Sequence, residues 1–215
     1  MKKNLKIIPV SFLIVFARLV PFNWIVGSLQ ATFSLSSMIA PVIAEQYGLA
    51  WISLFLFSKS MFSVSCFSVP AMCLFFAHRL SLLFASRAFQ KREFSTSILL
   101  PSVCMMLFSY HEAGRVAWFY SLYWLIPMVL FFIKDWQWSR ALSASFIAHA
   151  VGSVVWLYTH SIPAPVWIGL IPVVFVERLL IASGILFFSS LVVSVSVAMK
   201  HFKQWLSVAT LIGRA

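Results

Sequence analysis

Apolar residues in this chain gather into long runs, and most charged residues sit in the short gaps between them. The runs extend from about Ile7 to Leu29, Ala31 to Ala44, Leu49 to Ser86, Thr96 to Tyr110, Val116 to Phe132, Arg140 to Thr159 and Val166 to Met199. A helix needs roughly twenty residues to cross the hydrocarbon core of a bilayer. The four runs after residue 95 are each read as one crossing. The run from Ala31 to Ala44 is short for one, and is predicted either to extend through Glu45, Gln46, Tyr47 and Gly48 or to fold back as a re-entrant element. Pro70 is the natural break or kink in the long run that ends at Ser86. The fold class predicted is all-α: a polytopic membrane helix bundle of about six transmembrane helices, irregular near residues 31–48, in a single integral membrane domain over residues 1–215.

Composition sharpens this reading. The chain is 62% hydrophobic and 10% charged, with 22 Phe, and no water-soluble fold hides that much apolar surface. A net charge of +11 raises the question of a nucleic-acid partner. The basic residues, however, cap the ends of apolar runs and do not form one soluble face, so they are read as topology signals and nucleic acid is set aside. Lys2, Lys3 and Lys6, then Arg79, Arg87, Lys91 and Arg92, then Lys200, Lys203 and Arg214 are predicted to be cytoplasmic, with Lys134 and Arg140 marking a fourth inside break. Two crossings then separate Arg92 from Lys134, joined outside by His111–Arg115, and two more separate Arg140 from Lys200, joined by Ser161–Pro165. Both termini are expected inside a cytoplasmic (inner) membrane. Arg18 interrupts the first run and no clean small-x-small cleavage site follows, so that run is read as an uncleaved helix rather than a leader peptide. Trp118, Tyr120, Tyr123 and Trp124, with Trp136 and Trp138, suit interfacial aromatic belts. Cys66, Cys73 and Cys104 stand in apolar stretches without ligand spacing and are read as small buried hydrophobes.

Ionisable residues inside a membrane are the informative ones, because a charge at a helix centre costs about 3 kcal/mol on insertion scales. Arg18, Glu45, Lys59, His149, Glu177 and Arg178 fall in or beside the runs. Glu177 and Arg178 follow Pro172 by about a turn and a half, and adjacent helical residues point about 100° apart. At least one of them should therefore face the bundle, toward a ligand or in a structural ion pair. His149 lies one position round from a stripe of small residues, Ala144, Ala148 and Gly152, whose four-residue spacing allows another helix to approach closely; an interhelical hydrogen bond is its simplest role. Glu45 is expected at a solvated end of the short segment, and His111–Arg115 as a loop. Zincin, nucleophile-elbow and phosphate-loop motifs are missing, and the five acidic residues are too scattered for paired-carboxylate metal catalysis. No metal or cofactor is predicted, and no catalytic residue is assigned.

The stretch Phe33-Ser34-Leu35-Ser36-Ser37-Met38-Ile39-Ala40-Pro41 leading to Gly48, the segment Ala148-His149-Ala150-Val151-Gly152, and a last helix in which Pro172 precedes Glu177 and Arg178 resemble the S components of energy-coupling factor vitamin transporters, particularly the biotin branch. The resemblance implies a substrate-binding subunit for a small water-soluble vitamin or precursor. Glu177, Arg178 and His149 would orient its polar groups, and Trp118, Trp124, Trp156 and Trp167 would stack on a ring. It also implies a transmembrane coupling subunit, with the Ala144, Ala148, Gly152 stripe as a contact surface, and partner ATPase subunits that supply the energy. Two readings from other classes stand beside it: a membrane-embedded enzyme acting on a lipid or isoprenoid substrate, with His149 and Glu177 as acid and base, and a structural or assembly subunit without a ligand.

Overall fold

A computed structural model describes residues 21–24, 32–50, 52–53, 69–160 and 162–212. Lys2, Lys3, Lys6, Arg18, Lys59, Cys66 and Arg214 lie outside the described residues, as does most of the first apolar run. The architecture is helical, apart from a two-stranded antiparallel ribbon of β1 (Pro21–Trp24) and β2 (Thr32–Ser34), in which Asn23 pairs with Phe33 and Trp24 with Thr32. At Pro21–Trp24 this corrects the expectation that the first apolar run is helical. Pro21 lacks the N–H a helix interior needs, and Phe22, Trp24, Thr32 and Phe33 are strand-favouring types.

Helix α1 (Ser36–Tyr47) follows and stops at Gly48, whose φ of +92° few residues other than glycine adopt. It is 12 residues long, about 18 Å at 1.5 Å per residue. As the sequence implied, that is too short to cross a bilayer. Helix α2 (Val69–Gln90) is followed by a π-helical turn (Ser95–Leu99) that leads into α3 (Leu100–Tyr110). The segment His111–Arg115 is not a loop: it starts a short helix, α4 (Glu112–Val116), with His111 Nδ1 accepting from the Ala113 N–H at 3.3 Å. The run from Val116 to Phe132 is likewise not one α-helix. It is a 3-10 helix (Trp118–Trp124) continued by α5 (Leu125–Phe132), and the larger rise of the 3-10 part lengthens it by about 3 Å over an α-helix of the same residues.

Helix α6 (Gln137–Thr159) lies at the centre and contacts α2, α3, α5 and the last helix. It can do so because much of its surface is small: Ala141, Ser143, Ala144, Ser145, Ala150 and Ser153 are all buried, and such residues let neighbouring backbones come close. Beyond it, α7 (Ala164–Gly169) touches α4, and α8 (Ile171–Ile212) runs 42 residues. Gln137 Nε2 donates to Ser189 Oγ at 2.5 Å. From there α8 leaves the bundle, with Leu191, Val193, Val195, Val197, Phe202 and Trp205 exposed, and the helix continues past the expected end at Met199.

Two helices among the described residues, Gln137–Thr159 and Ile171–Met199, are long and apolar enough to cross a membrane; Ser95–Tyr110 and Trp118–Phe132 are shorter apolar segments. One end of the bundle is charged. Arg92 Nη1 lies 3.7 Å from Asp135 Oδ1, and Arg140 reaches both Asp135 and Glu45, at 3.6 and 3.4 Å. Arg87 pairs with Glu93, and Arg92 donates to the carbonyls of Leu130 and Ile133 at the end of α5. The chain therefore leaves this end along Ser95–Tyr110, turns at α4 and returns along Trp118–Phe132. Glu45, expected at a solvated end, is partly covered and held by Arg140.

Candidate functional site

The other half of the bundle is built from rings. Phe108 on α3 stacks on Tyr120 at 5.4 Å between centroids and meets Trp124 and Trp167 edge-on at 5.4 and 5.3 Å. Tyr120 in turn meets His149 at 5.3 Å and Trp167 at 5.2 Å, and Trp124 meets His149 at 6.2 Å. Four segments thus contribute to one cluster: α3, the 3-10 helix, α6 and α7. Phe108, Tyr120 and Trp124 are essentially inaccessible, and Trp167 and His149 are buried. The reading of Tyr120 and Trp124 as interfacial residues is therefore corrected. Of that group Trp118 is exposed, as are Trp136 and Trp138 at the charged end. Edge-to-face and offset contacts of this kind add about 0.5–1.5 kcal/mol per pair beyond the area they bury.

Polar groups thread this cluster. Ser153 Oγ stands 3.4 Å from both Tyr120 Oη and His149 Nδ1, because residues four apart on α6 share a face. Ser145 Oγ donates to the Arg178 carbonyl at 2.9 Å, joining α6 to α8. Arg178 Nη2 and Glu177 Oε2 are 3.5 Å apart, with side chains only 3% and 9% exposed. Both members of the adjacent pair face inward, and the Arg178 charge lies within electrostatic reach of His149 and of Tyr120. A desolvated pair of this kind is weak evidence for stability, since removing its charges from water costs several kcal/mol per ion.

Three buried nitrogen atoms of the cluster have no hydrogen-bond partner: Trp124 Nε1, Trp167 Nε1 and His149 Nε2. An indole nitrogen can only donate, and a buried donor without an acceptor costs about 1–3 kcal/mol. Three such atoms on rings that all meet Tyr120 mark a place where the fold leaves polar capacity unused.

Of the residues singled out in the sequence, Glu177, Arg178, His149, Trp124 and Trp167 are thus brought into one region. Trp156 is not part of its centre. It stacks on His160 at 4.0 Å near the end of α6 and packs, partly buried, against the cluster. The stripe of Ala144, Ala148 and Gly152 faces inward: Ala144 packs with Ala85, Ala88 and Phe89 of α2, Ala148 flanks the same core, and Ser81 is the nearest atom a Cβ on Gly152 would meet. Ala144 is fully buried within the bundle, while Ala148 and Gly152 keep partial exposure. Tyr120, Ser153 and Phe108 were not anticipated as site residues; the four-residue spacings Tyr120/Trp124 and His149/Ser153 are signals that could have found the first two, and Phe108 left none. Cys104 is buried beside Phe108 as a free thiol. Among the described residues, no three His, Cys, Asp or Glu side chains gather as a metal site.

The aromatic end is covered by the short helices α4 and α7. Gly114 of α4 lies so close to α3 that an added Cβ would be 1.9 Å from the Phe108 carbonyl oxygen. On α6, Tyr158 Oη donates to the Leu107 carbonyl at 2.8 Å and its ring meets His111 at 5.0 Å. Tyr123 Oη ties the 3-10 helix to the start of α8 through the Ile171 carbonyl, at 2.9 Å. Comparison with family models, with curated proteins and with solved structures gives no match to this chain.

Proposed function

We propose that the chain is the substrate-binding subunit of a membrane transporter, crossing the cytoplasmic membrane about six times with both termini inside. It takes up a small water-soluble vitamin or precursor, and the energy-coupling factor S components that its sequence resembles are the class to which this reading assigns it. A transmembrane coupling subunit and ATPase subunits would supply the drive, in keeping with a chain that carries no nucleotide motif.

The observation that carries the proposal is the burial of the Glu177–Arg178 pair in the half of the bundle that holds the Trp124, Trp167 and His149 cluster, with the Arg178 charge within electrostatic reach of His149 and Tyr120. By the positive-inside rule that half faces outward, where a water-soluble nutrient arrives. Ligand sites combine aromatic walls with a few placed polar groups in this manner. The carboxylate of Glu177 stands beside a guanidinium, an arrangement that suits ligand binding. The bilayer is the remaining partner, accommodating the exposed apolar faces of α3, α5 and α8.

The test is to purify the protein in mild detergent from cells fed a vitamin mixture and to identify retained small molecules by mass spectrometry. One compound retained by the wild type and lost in Glu177→Gln and Arg178→Gln is expected. No retained compound, or retention indifferent to both substitutions, would send the function to an intramembrane enzyme or an assembly subunit.

A further inference from the structure

The last helix outruns the bundle it belongs to, and we infer that its overhang, residues 190–212 of α8, pairs with the same segment of a second copy of the chain as a parallel two-stranded coiled coil. Gln137 opens α6 at the charged end, and its hydrogen bond to Ser189 marks the level at which α8 passes that end; Val192 still touches the core. The overhang then runs about 34 Å at 1.5 Å per residue. Along it Leu191, Val195, Ala198, Phe202 and Trp205 are all exposed, the two rings by 60% and 64%. They recur at alternating steps of four and three residues, the period of a coiled-coil seam, and the same steps continue to Ala209 and Ile212.

Direction, position and charge select the partner. Helix α8 is unbroken through Ser189 and holds no Pro or Gly after Gly184, so the overhang projects beyond the charged end instead of turning along the bilayer surface. At the helical angle per residue, the stripe is turned about 100° from Val174, Ile181 and Ile185, the face by which α8 packs on the bundle. A helix laid against the stripe therefore comes alongside the bundle without meeting it. The 4-3 steps put Leu191 at heptad position d and Val195 at a, a pairing of types that favours two strands. Lys200 and Lys203 then fall at the outer positions f and b. The flanking positions e and g hold Val192, Ser194, Met199, His201, Leu206 and Val208, with no Lys or Arg to attract an acidic partner or to repel an identical one. Copies inserted in one membrane share one orientation, so two such helices meet in parallel, and a two-fold axis makes the contact self-complementary. The pairing rests on the membrane reading alone and would serve a transporter, an enzyme or an assembly subunit alike.

Cysteine cross-linking of the full chain in native membranes tests the pairing, with the wild type and its three cysteines as background. Val195→Cys and Ala198→Cys should form disulfide-linked pairs on mild oxidation, whereas Ser196→Cys, Lys200→Cys and Lys203→Cys, at outer positions, should stay single. In mild detergent, light scattering should give the wild type the protein mass of two 24.4 kDa chains, and Val195→Lys/Phe202→Lys the mass of one. Ser196→Lys is the matched control and should remain paired. Both variants change exposed positions beyond the core of the bundle, so their thermal unfolding should match that of the wild type. If detergent separates the copies, the pattern in membranes decides. Cross-linking spread evenly around the helix reports random collision and overturns the inference. Seam cysteines that neither cross-link nor react with a water-soluble maleimide overturn it by placing lipid or a different protein on the stripe, and seam cysteines that react freely without cross-linking overturn it by showing the stripe bare.

Discussion

The two ends of this bundle treat charge in opposite ways. At the charged end, Glu45, Glu93 and Asp135 each pair with at least one of Arg87, Lys91, Arg92 and Arg140, at positions open enough for water to reach most of them. In the aromatic half, Glu177 and Arg178 form an ion pair that is almost wholly covered, beside rings whose nitrogens lack partners. Half-exposed pairs contribute about 0–1 kcal/mol each, so the first group sets orientation and helix ends more than stability. Replacing a buried pair by apolar residues of similar volume is often neutral or stabilising. Stability therefore does not account for the charge kept in the aromatic half, and this is the ground on which the proposed binding role is put to the test.

The sharpest way to break this contrast is to remove one buried charge. Arg178→Leu should lower unfolding stability by about 3–5 kcal/mol, the usual cost of leaving a buried partner uncompensated, while Glu177→Leu/Arg178→Leu should recover most of the loss and still fail to retain the ligand. Denaturant unfolding in a fixed detergent, with ligand retention measured alongside, reads both. A double variant as unstable as the single one would mean that the pair is a structural tie and would remove the argument for a binding role.

Next in size is a backbone effect at the cover of the site. Gly114→Ala puts a methyl group against the Phe108 carbonyl and should cost about 1–3 kcal/mol by forcing α4 away from α3. Gly152→Ala is the control: its Cβ would meet Ser81 at an ordinary 4.0 Å, and alanine should be neutral or stabilising by up to about 1 kcal/mol. Equal effects would show that the close approach of α4 to α3 does not constrain the cover.

How much of this was legible in the sequence follows from the kind of signal each part left. The helical runs ending at Tyr110 and Thr159 could be read because apolar runs between polar gaps mark them, whereas the last helix continues through the basic gap to Ile212. The parity of the basic clusters fits the turn at α4 and the return to Asp135. Glu177, Arg178 and His149 stood out because ionisable residues are costly in such runs. The ribbon at Pro21–Trp24 was missed because an apolar run has the same composition as strand or helix when its period is weak. The 3-10 segment was missed for a related reason: Trp118–Trp124 is aromatic throughout, and composition alone assigned to an interface the two rings, Tyr120 and Trp124, that tertiary packing draws into the core. Trp156 lies toward the end of α6, where its ring stacks on His160 and packs against the cluster.

Smaller effects separate the hydroxyl chain from the rings around it. Tyr120→Phe removes the group facing Ser153 and keeps the stacking on Phe108, so it should cost about 1 kcal/mol. Ser153→Ala should cost a similar amount. Because Ser153 joins Tyr120 to His149, the double variant should cost less than the sum of the two. Strict additivity in thermal unfolding would mean that the chain is two independent contacts.

The smallest effect belongs to the charged end and carries a definite sign. The hydrogen bond from Arg87, helped by the charges of Arg87 and Lys91, holds the Glu93 carboxyl below its ordinary 4.5. A carboxyl whose folded value is depressed stabilises the fold above the unfolded value, and that contribution disappears as pH falls through the folded value. Wild type should therefore lose stability as pH is lowered below about 4.5, and Glu93→Gln should show a shallower acid limb, with the two curves converging at the acid extreme. Because Glu93 is solvated, added salt should reduce the difference at neutral pH, whereas the consequences of losing Arg178 should be nearly indifferent to salt. Thermal unfolding across pH and ionic strength measures both, and a salt response at Arg178 as large as that at Glu93 would mean that water reaches the two ends alike.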